Sequence, residues 1–450
     1  MRTSIVFSGW LCGLGLGLLP ATQARGDEAP PPMVGQRDGV WGDLTLQYRA
    51  RPELRENADL DAAAADTLVF GSQRARLGLG MHYQDWLTGF VQVQDARLAG
   101  FGNDAVGYSG NTDLHQAWAE VKIPSLSLAL KLGRQQLMFG DQRLVGALEW
   151  ANQGRVFEAA RLTWKHGLGS LDAFSAVFTP GKKGNLLDAT HFSGLYSALA
   201  FLDGTLVCDQ YLLTLVDTGL ALPAGTLLDP GASEAQTALR RQIFTLGTRA
   251  RYAGFGVNAG VEGALQLGSL NADAQVGQFA YALHGDAAYT LALPTSPSLG
   301  LEVNVATGDD TGTAKQSERF INLFPTNHGF YGFMDLASWS NALNGALHAK
   351  LTLWSGVQVG LSYWLLARAT ADDGWTNAGG ATLLAANNDQ PGEHADELLL
   401  GHELDATVSF KVNAYLTWQT GLSTFLPTGF ALDKGSDAQL WGYSMLTASF

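Results

Sequence analysis

Charge is what this sequence is short of. Asp, Glu, Lys and Arg make up 16% of its 450 residues, against roughly 25% in ordinary soluble domains. The balance is acidic, with a formal net charge of −14. That excludes nucleic acid as a partner, because a phosphate backbone needs a basic face. Cysteine is nearly absent: Cys12 and Cys208 are the only two, too few for a disulfide framework in the exported chain. Past residue 20 there is no run of about 18 apolar residues, which a spanning helix would need. No repeat of 20–50 residues marks a solenoid.

Catalytic signatures are missing as well. Gly401-His402-Glu403-Leu404-Asp405 lacks the second histidine of a zinc-protease helix. Gly308-Asp309-Asp310-Thr311-Gly312 lacks the ligand spacing of a calcium loop. The nine histidines form no pair at metal spacing, and no G-x-S-x-G elbow occurs. The chain therefore reads as a non-enzyme with no cofactor, no metal and no catalytic residues.

What it has in quantity is glycine (54 residues), tryptophan (12) and a strict alternation of side chains. Leu46, Tyr48 and Ala50 alternate with Gln47, Arg49 and Arg51. Arg74 and Arg76 alternate with Ala75, Leu77 and Leu79, and the pattern recurs at 244–252, 299–305 and 403–411. A period of two over about ten residues suits a strand with lipid on one face and water on the other. Short turns fall at 82–85, 124–125, 165–169, 203–204, 253–254, 294–297, 355–356 and 412–413. Nine long links separate them, the longest being Gly308–Trp339 and Ala369–Leu400. Eight short and nine long connections join eighteen strands. The expected fold is an all-β transmembrane antiparallel barrel with short periplasmic turns and long outer loops.

The ends agree with export to an outer membrane. Arg2, the apolar Ile5–Leu19 and the small residues up to Ala24 resemble a signal peptide, residues 1–24. Residues 25–39 then form a periplasmic extension and residues 40–450 the barrel. The chain closes on an alternating strand with Phe450 at its end, the kind of terminus that the outer-membrane assembly machinery takes. Expected partners are that machinery, outer-membrane lipid and lipopolysaccharide, and an anionic solute or polysaccharide.

The arginines carry the functional signal. Sixteen of the 28 Lys and Arg precede residue 166. Arg49, Arg51, Arg74, Arg76, Arg155 and Arg161 share parity with polar or small neighbours, which points them inward. Glu120 lies on the polar face of the fourth strand and Asp141 at the end of the fifth, while parity leaves Glu158 open. Inward guanidiniums on neighbouring strands would give a positive stripe that attracts anions. A filled lumen of Arg–carboxylate pairs is the alternative, alongside a porin of other selectivity and an outer-membrane enzyme.

Three stretches, LGRQQLMFGDQRLVGALEWANQGRVFEAARLTW (132–164), ERFINLFPTNHGFYGFMDL (318–336) and LGHELDATVSFK (400–411), resemble the alginate export family of outer-membrane proteins. The resemblance extends over roughly residues 40–450. It implies an eighteen-stranded barrel that carries a polyuronate through an arginine-lined constriction, and it places Arg134, Asp141, Arg143, Arg155, Glu158 and Arg161 beside that constriction. Alginate-secreting members have a long plug turn near the last strands, where this chain has only Lys411-Val412-Asn413-Ala414. Any plug must then come from the outer links. The aromatic-rich Gly308–Trp339 is expected to fold as an ordered lid, and Ala369–Leu400 to stay exposed.

Overall fold

In a computed structural model the alternating segments become strands of one closed sheet. The structure describes residues 33–450 apart from 38, 59, 61–65, 101–107, 179–189, 218–240, 273–274, 311, 314, 327, 355 and 387–396. The signal-peptide segment and most of the extension after it lie outside the described residues.

Eighteen strands make the wall. They are β1 (Val40–Glu56), β2 (Thr67–Tyr83), β3 (Leu87–Gly100), β4 (Tyr108–Ile123), β5 (Leu128–Gln135) and β6 (Phe157–His166). Next come β7 (Gly169–Phe178), β8 (Thr190–Phe201), β9 (Leu206–Asp217), β10 (Gln242–Gly254), β11 (Val257–Asn271) and β12 (Val276–Thr290). The last six are β13 (Ser298–Ala306), β14 (Ala342–Trp354), β15 (Val357–Ala367), β16 (Leu399–Lys411), β17 (Leu416–Pro427) and β18 (Gln439–Ser449). Each pairs antiparallel with its sequence neighbours, and β18 returns to β1, with Gln47 opposite Ser449 and Glu56 opposite Leu440. Phe450 and Leu46 exchange backbone hydrogen bonds of 2.8 and 3.1 Å, which seals the seam at its short-turn end. Closure leaves no sheet edge around the full circle at membrane depth, as a lipid-exposed wall requires.

Outward positions are apolar and open to the surroundings: Leu77, Leu299 and Leu347 are 52%, 66% and 62% exposed. Tyr83, Trp86, Tyr289, Tyr415 and Phe450 ring the short-turn end, where amphipathic rings favour the membrane interface. The eight short turns stand where the alternation breaks, and the long links all leave the opposite end.

The inward face departs from a simple wet lumen. Among the inward residues of β6 to β10 are Phe157, Phe174, Phe192, Leu213, Leu215 and Ile243, each at most 5% exposed. They cover themselves with two long links, residues 136–156 and 307–341, which fold back into the barrel. A fully buried phenylalanine contributes roughly 2–3 kcal/mol, so this lining is a core in its own right.

The lid expectation for 308–339 matches the observed packing: Phe320, Phe324 and Trp339 are at most 1% exposed. The expectation that 369–400 stays exposed does not hold. Asp373, Trp375, Thr376 and Ala378 are buried, and Trp375 packs on Phe425 with ring centres 5.5 Å apart. A small hairpin, Trp375–Thr376 with Thr382–Leu384, presents that tryptophan inward. Residues 387–396, farther along the same link, lie outside the described residues.

Candidate functional site

The 136–156 link leaves the wall at the end of β5, two residues after Gly133. The φ of Gly133 is +117°, and a Cβ there would stand 2.3 Å from the Ala117 carbonyl oxygen, so only glycine fits. The Gln135 amide then donates to the carbonyls of Gly133 and Ala159, at 3.2 and 2.9 Å, which fixes the exit.

Four wall arginines receive the returning arm of this loop. Arg49 donates to the carbonyls of Glu149 and Ala151 at 2.7 and 2.8 Å. Arg51 donates to Trp150 O and to the Glu53 carboxylate, both at 2.8 Å. Arg74 reaches the same two carbonyls as Arg49, at 3.1 and 3.2 Å, and the Glu149 carboxylate at 3.0 Å. Arg76 donates to Glu149 Oε2 at 2.7 Å and to Gln94 at 2.8 Å. Burial alone would raise the Glu149 carboxyl, but Arg74 and Arg76 overcome it and hold it down at about 2.

The outgoing arm is tied across the lumen. Asp141 accepts from Arg249 at 2.8 Å and stands 3.5 Å from Arg251. Arg143 donates to Glu302 at 3.0 Å and meets His284 Nε2 at 3.1 Å. Arg155 is buried and donates to the carbonyls of Pro325 and Gly146, at 2.7 and 3.3 Å.

The 307–341 loop pairs with this arm as a short ribbon. Phe324 N donates to Leu144 O at 2.9 Å, Gly146 N to Phe324 O at 2.7 Å, and Thr326 N to Gln142 O at 2.9 Å. The Phe324 ring sits 5.3 Å from those of Phe157 and Phe178, and 4.8 Å from that of Phe192. Farther along, Met334 N donates to the buried carboxylate of Glu403 at 2.9 Å. The two loops thus form one joined obstruction held to several walls.

On the short-turn side of it, cations of another kind face the lumen. Lys131 on β5 and Arg161 on β6 have side chains 26% and 27% exposed. Lys131 Nζ lies 3.8 Å from the Trp118 ring centre and 3.7 Å from Glu120. Arg161 donates to Asp172 at 2.8 Å and lies over Phe139 at 5.0 Å. Lys122 stands 3.5 Å from Glu120 and is nearly half exposed. Their paired carboxylates leave these cations reachable from water.

These placements correct the sequence reading in two ways. Arg49, Arg51, Arg74 and Arg76 do point inward, but at 1–6% exposure they clamp a loop and form no open stripe. Arg134 and Glu158 carry the outward parity of Leu132 and Leu162, and they pair with each other at 3.0 Å on the outer side. Asp141, Arg143 and Arg155 belong to the obstruction, while Arg161 and Glu120 line the half-open wall. Glu149, Glu302, Arg249, Arg251, Lys131 and Trp118 were not singled out. Arg249 and Arg251 sit at polar parity in an alternating segment and were legible there. Glu149 lies in an aperiodic loop and carries no such signal.

The model of the alginate export family matches residues 40–440. The chain belongs to that family. Solved outer-membrane proteins of Pseudomonas aeruginosa share the architecture of this alginate-export chain. OccK2 (OpdF), solved in complex with glucuronate, superposes with a TM-score of 0.58 at 12% identity, over 91% of this chain and 96% of its own. OpdK, solved with vanillate, gives 0.56 at 10% identity, over 91% and 98%. OprD gives 0.56 at 12% identity, over 91% and 93%. At such identities the likeness is one of fold. No curated protein matches the sequence. Family and fold together make this chain an eighteen-stranded barrel of the alginate export family, built like outer-membrane proteins of known structure.

Proposed function

We propose that the channel selects small carboxylated solutes. The observation that carries this reading is the half-open pair Lys131 and Arg161 on one wall of the lumen, next to the joined loops. A low-dielectric wall focuses the field of such cations and raises the local concentration of anions. The obstruction supports a small solute over a chain: two loops joined by three backbone hydrogen bonds stand where a polymer would thread. Two proteins of similar fold were solved with the carboxylated ligands glucuronate and vanillate, which agrees with the same solute chemistry here. The acids Glu120 and Asp172 beside the cations would keep binding weak enough for release.

The family match favours a second reading, passage of an anionic polysaccharide, for which both loops would have to move aside. Liposomes containing the purified protein separate the two. Uptake of a monomeric uronate, faster than that of a neutral hexose of equal size and absent for an oligouronate, supports the small-solute reading. Equal rates for uronate and hexose overturn it, and passage of the oligouronate favours the second reading.

A further inference from the structure

On the short-turn side of the arginine clamp, the lumen wall carries rings that stay partly open. The inward face of β1 to β4 continues past Arg76 and Gln94 toward the short turns. There Phe90 on β3 stands opposite Trp118 on β4, with ring centres 5.4 Å apart. Trp41 on β1 stacks on His82 of β2 at 3.7 Å, with planes 10° apart. All four are half-buried and belong to neither of the buried clusters beneath the loops. The interfacial Tyr83 and Trp86 face outward and do not account for them. A barrel interior is otherwise polar, and an uncovered apolar patch in a cleft marks a place for a ligand.

The wall is shaped around these rings. A Cβ at Gly78 would stand 2.8 Å from Phe90 Cζ, so the glycine lets that ring lie along β2. In register beyond Trp118 come Gly133 and Ala159, where nothing larger than a methyl group projects. Polar groups flank the rings on both sides. One inward position toward the loops, the Gln116 amide donates to Gln92 Oε1 at 3.2 Å and accepts from Trp118 Nε1 at 3.3 Å. The Gln92 NH2 has no partner among the described residues. One inward position the other way lie Glu120 and Lys131, and Lys131 Nζ sits 3.8 Å from the Trp118 ring centre. Successive inward positions on a strand are about 7 Å apart, the span of a six-membered ring with its substituents.

We infer that this shelf recognises the ring of a carboxylated sugar, so that the barrel prefers a carboxylate borne on a pyranose over an open-chain one. One face of a pyranose carries mostly C–H groups, which suit the aromatic surface of Phe90 and Trp118. Its hydroxyls need donors and acceptors: the Gln92 NH2 donates and the Glu120 carboxylate accepts. The carboxylate falls to Lys131, one step from the rings, and here the inference rests on the small-solute reading given above. An open-chain acid reaches the same ammonium but has no flat face to offer. Benzoate has both the face and the charge, yet nothing for Gln92.

Block of single-channel current by added solute, with the full-length protein in planar bilayers, gives the apparent affinities. Glucuronate and gluconate match in charge and carbon number and differ in the ring. Glucuronate should block at a roughly fivefold lower concentration than gluconate. Phe90→Leu combined with Trp118→Leu should remove that difference, with heat-modifiable migration showing an intact barrel, whereas Trp118→Phe should keep it. Gln92→Leu should weaken glucuronate and leave benzoate as it was. Equal block by glucuronate and gluconate in the wild type overturns the inference, as does a preference that survives the double leucine variant. Benzoate binding as tightly as glucuronate overturns the sugar assignment and gives the shelf to aromatic acids. A wild-type reversal potential without anion preference would sink the charge reading of Lys131, while a ring preference measured beside it would still uphold the shelf.

Discussion

Arg76 and Glu149 are 73 residues apart in sequence and meet at 2.7 Å inside the barrel. The contact joins wall to loop: one end belongs to β2, the other to the obstruction across the lumen. Breaking a buried pair by removing one partner leaves the other charge uncompensated, at about 3 kcal/mol or more. Here Arg74 shares the same carboxylate at 3.0 Å, so two guanidiniums lose their charged partner together. Glu149→Ala should free the returning arm, seen as larger open-channel noise in planar bilayers and faster proteolysis between residues 136 and 156. Unchanged noise and proteolysis would show that the carbonyl contacts of Arg49 and Arg51 suffice.

The same carboxylate sets an acid limit. Its value of about 2 in the folded state lies below the roughly 4.3 of an unfolded glutamate. The lower folded value means stabilisation that is complete above the unfolded value and is lost as pH falls through about 2. Noise should therefore stay constant from pH 7 to 5 and rise only in stronger acid. Glu149→Gln should abolish that rise, and a rise near pH 6 in the wild type would point to another group.

Selectivity should follow the half-open cations and ignore the outward one. Lys131→Glu and Arg161→Glu are expected to move the reversal potential toward cations, more at low salt where screening is weak. Arg134→Glu should do little, because Arg134 faces outward beside Glu158. An Arg134→Glu shift as large as the other two would take Lys131 and Arg161 out of the solute path.

Alternation made the wall legible. Leu46, Tyr48 and Ala50 against Gln47, Arg49 and Arg51 is a local pattern, so strand count and facing could be read without any contact map. What the inward arginines meet is a long-range matter. Arg49 has the parity of a pore-lining residue, yet its donors end on carbonyls 100 and 102 residues away. Arg134 misled for a different reason. It stands in a strongly charged block, whereas the unbroken register of β5 carries it to the outer side with Leu132. The inward phenylalanines on β6 to β8 erase the polar half of the alternation, and only the aromatic-rich 318–336 hinted at what covers them.

The terminal seam offers a test of the wall. Phe450 joins Leu46 by two backbone hydrogen bonds and stacks on Tyr415 with ring centres 5.1 Å apart. Removing Phe450 should lower outer-membrane levels and weaken the difference in migration between boiled and unboiled samples. Removing Asp433, in an outer loop, should change neither. Equal losses in both would detach the terminus from assembly.

The two long outer loops should now separate by what they hold. Residues 317–336 include Phe320 and Phe324, both almost fully buried, with Phe324 wedged among wall aromatics, and they carry half of the ribbon that joins the two loops. Deleting Ser317–Leu336 should raise single-channel conductance severalfold, because an eighteen-strand barrel is wide and the deletion removes one of the two joined loops that fill it. Trp375 belongs to the other loop and is 2% exposed against Phe425. Truncating a buried tryptophan costs about 3–5 kcal/mol locally. Trp375→Ala should therefore loosen residues 368–386 toward protease while conductance stays near that of the wild type. A conductance jump in Trp375→Ala equal to that of the deletion would make the 368–386 segment part of the obstruction. No jump in the deletion would leave the 136–156 loop alone, on its arginine clamp, as the narrowest point.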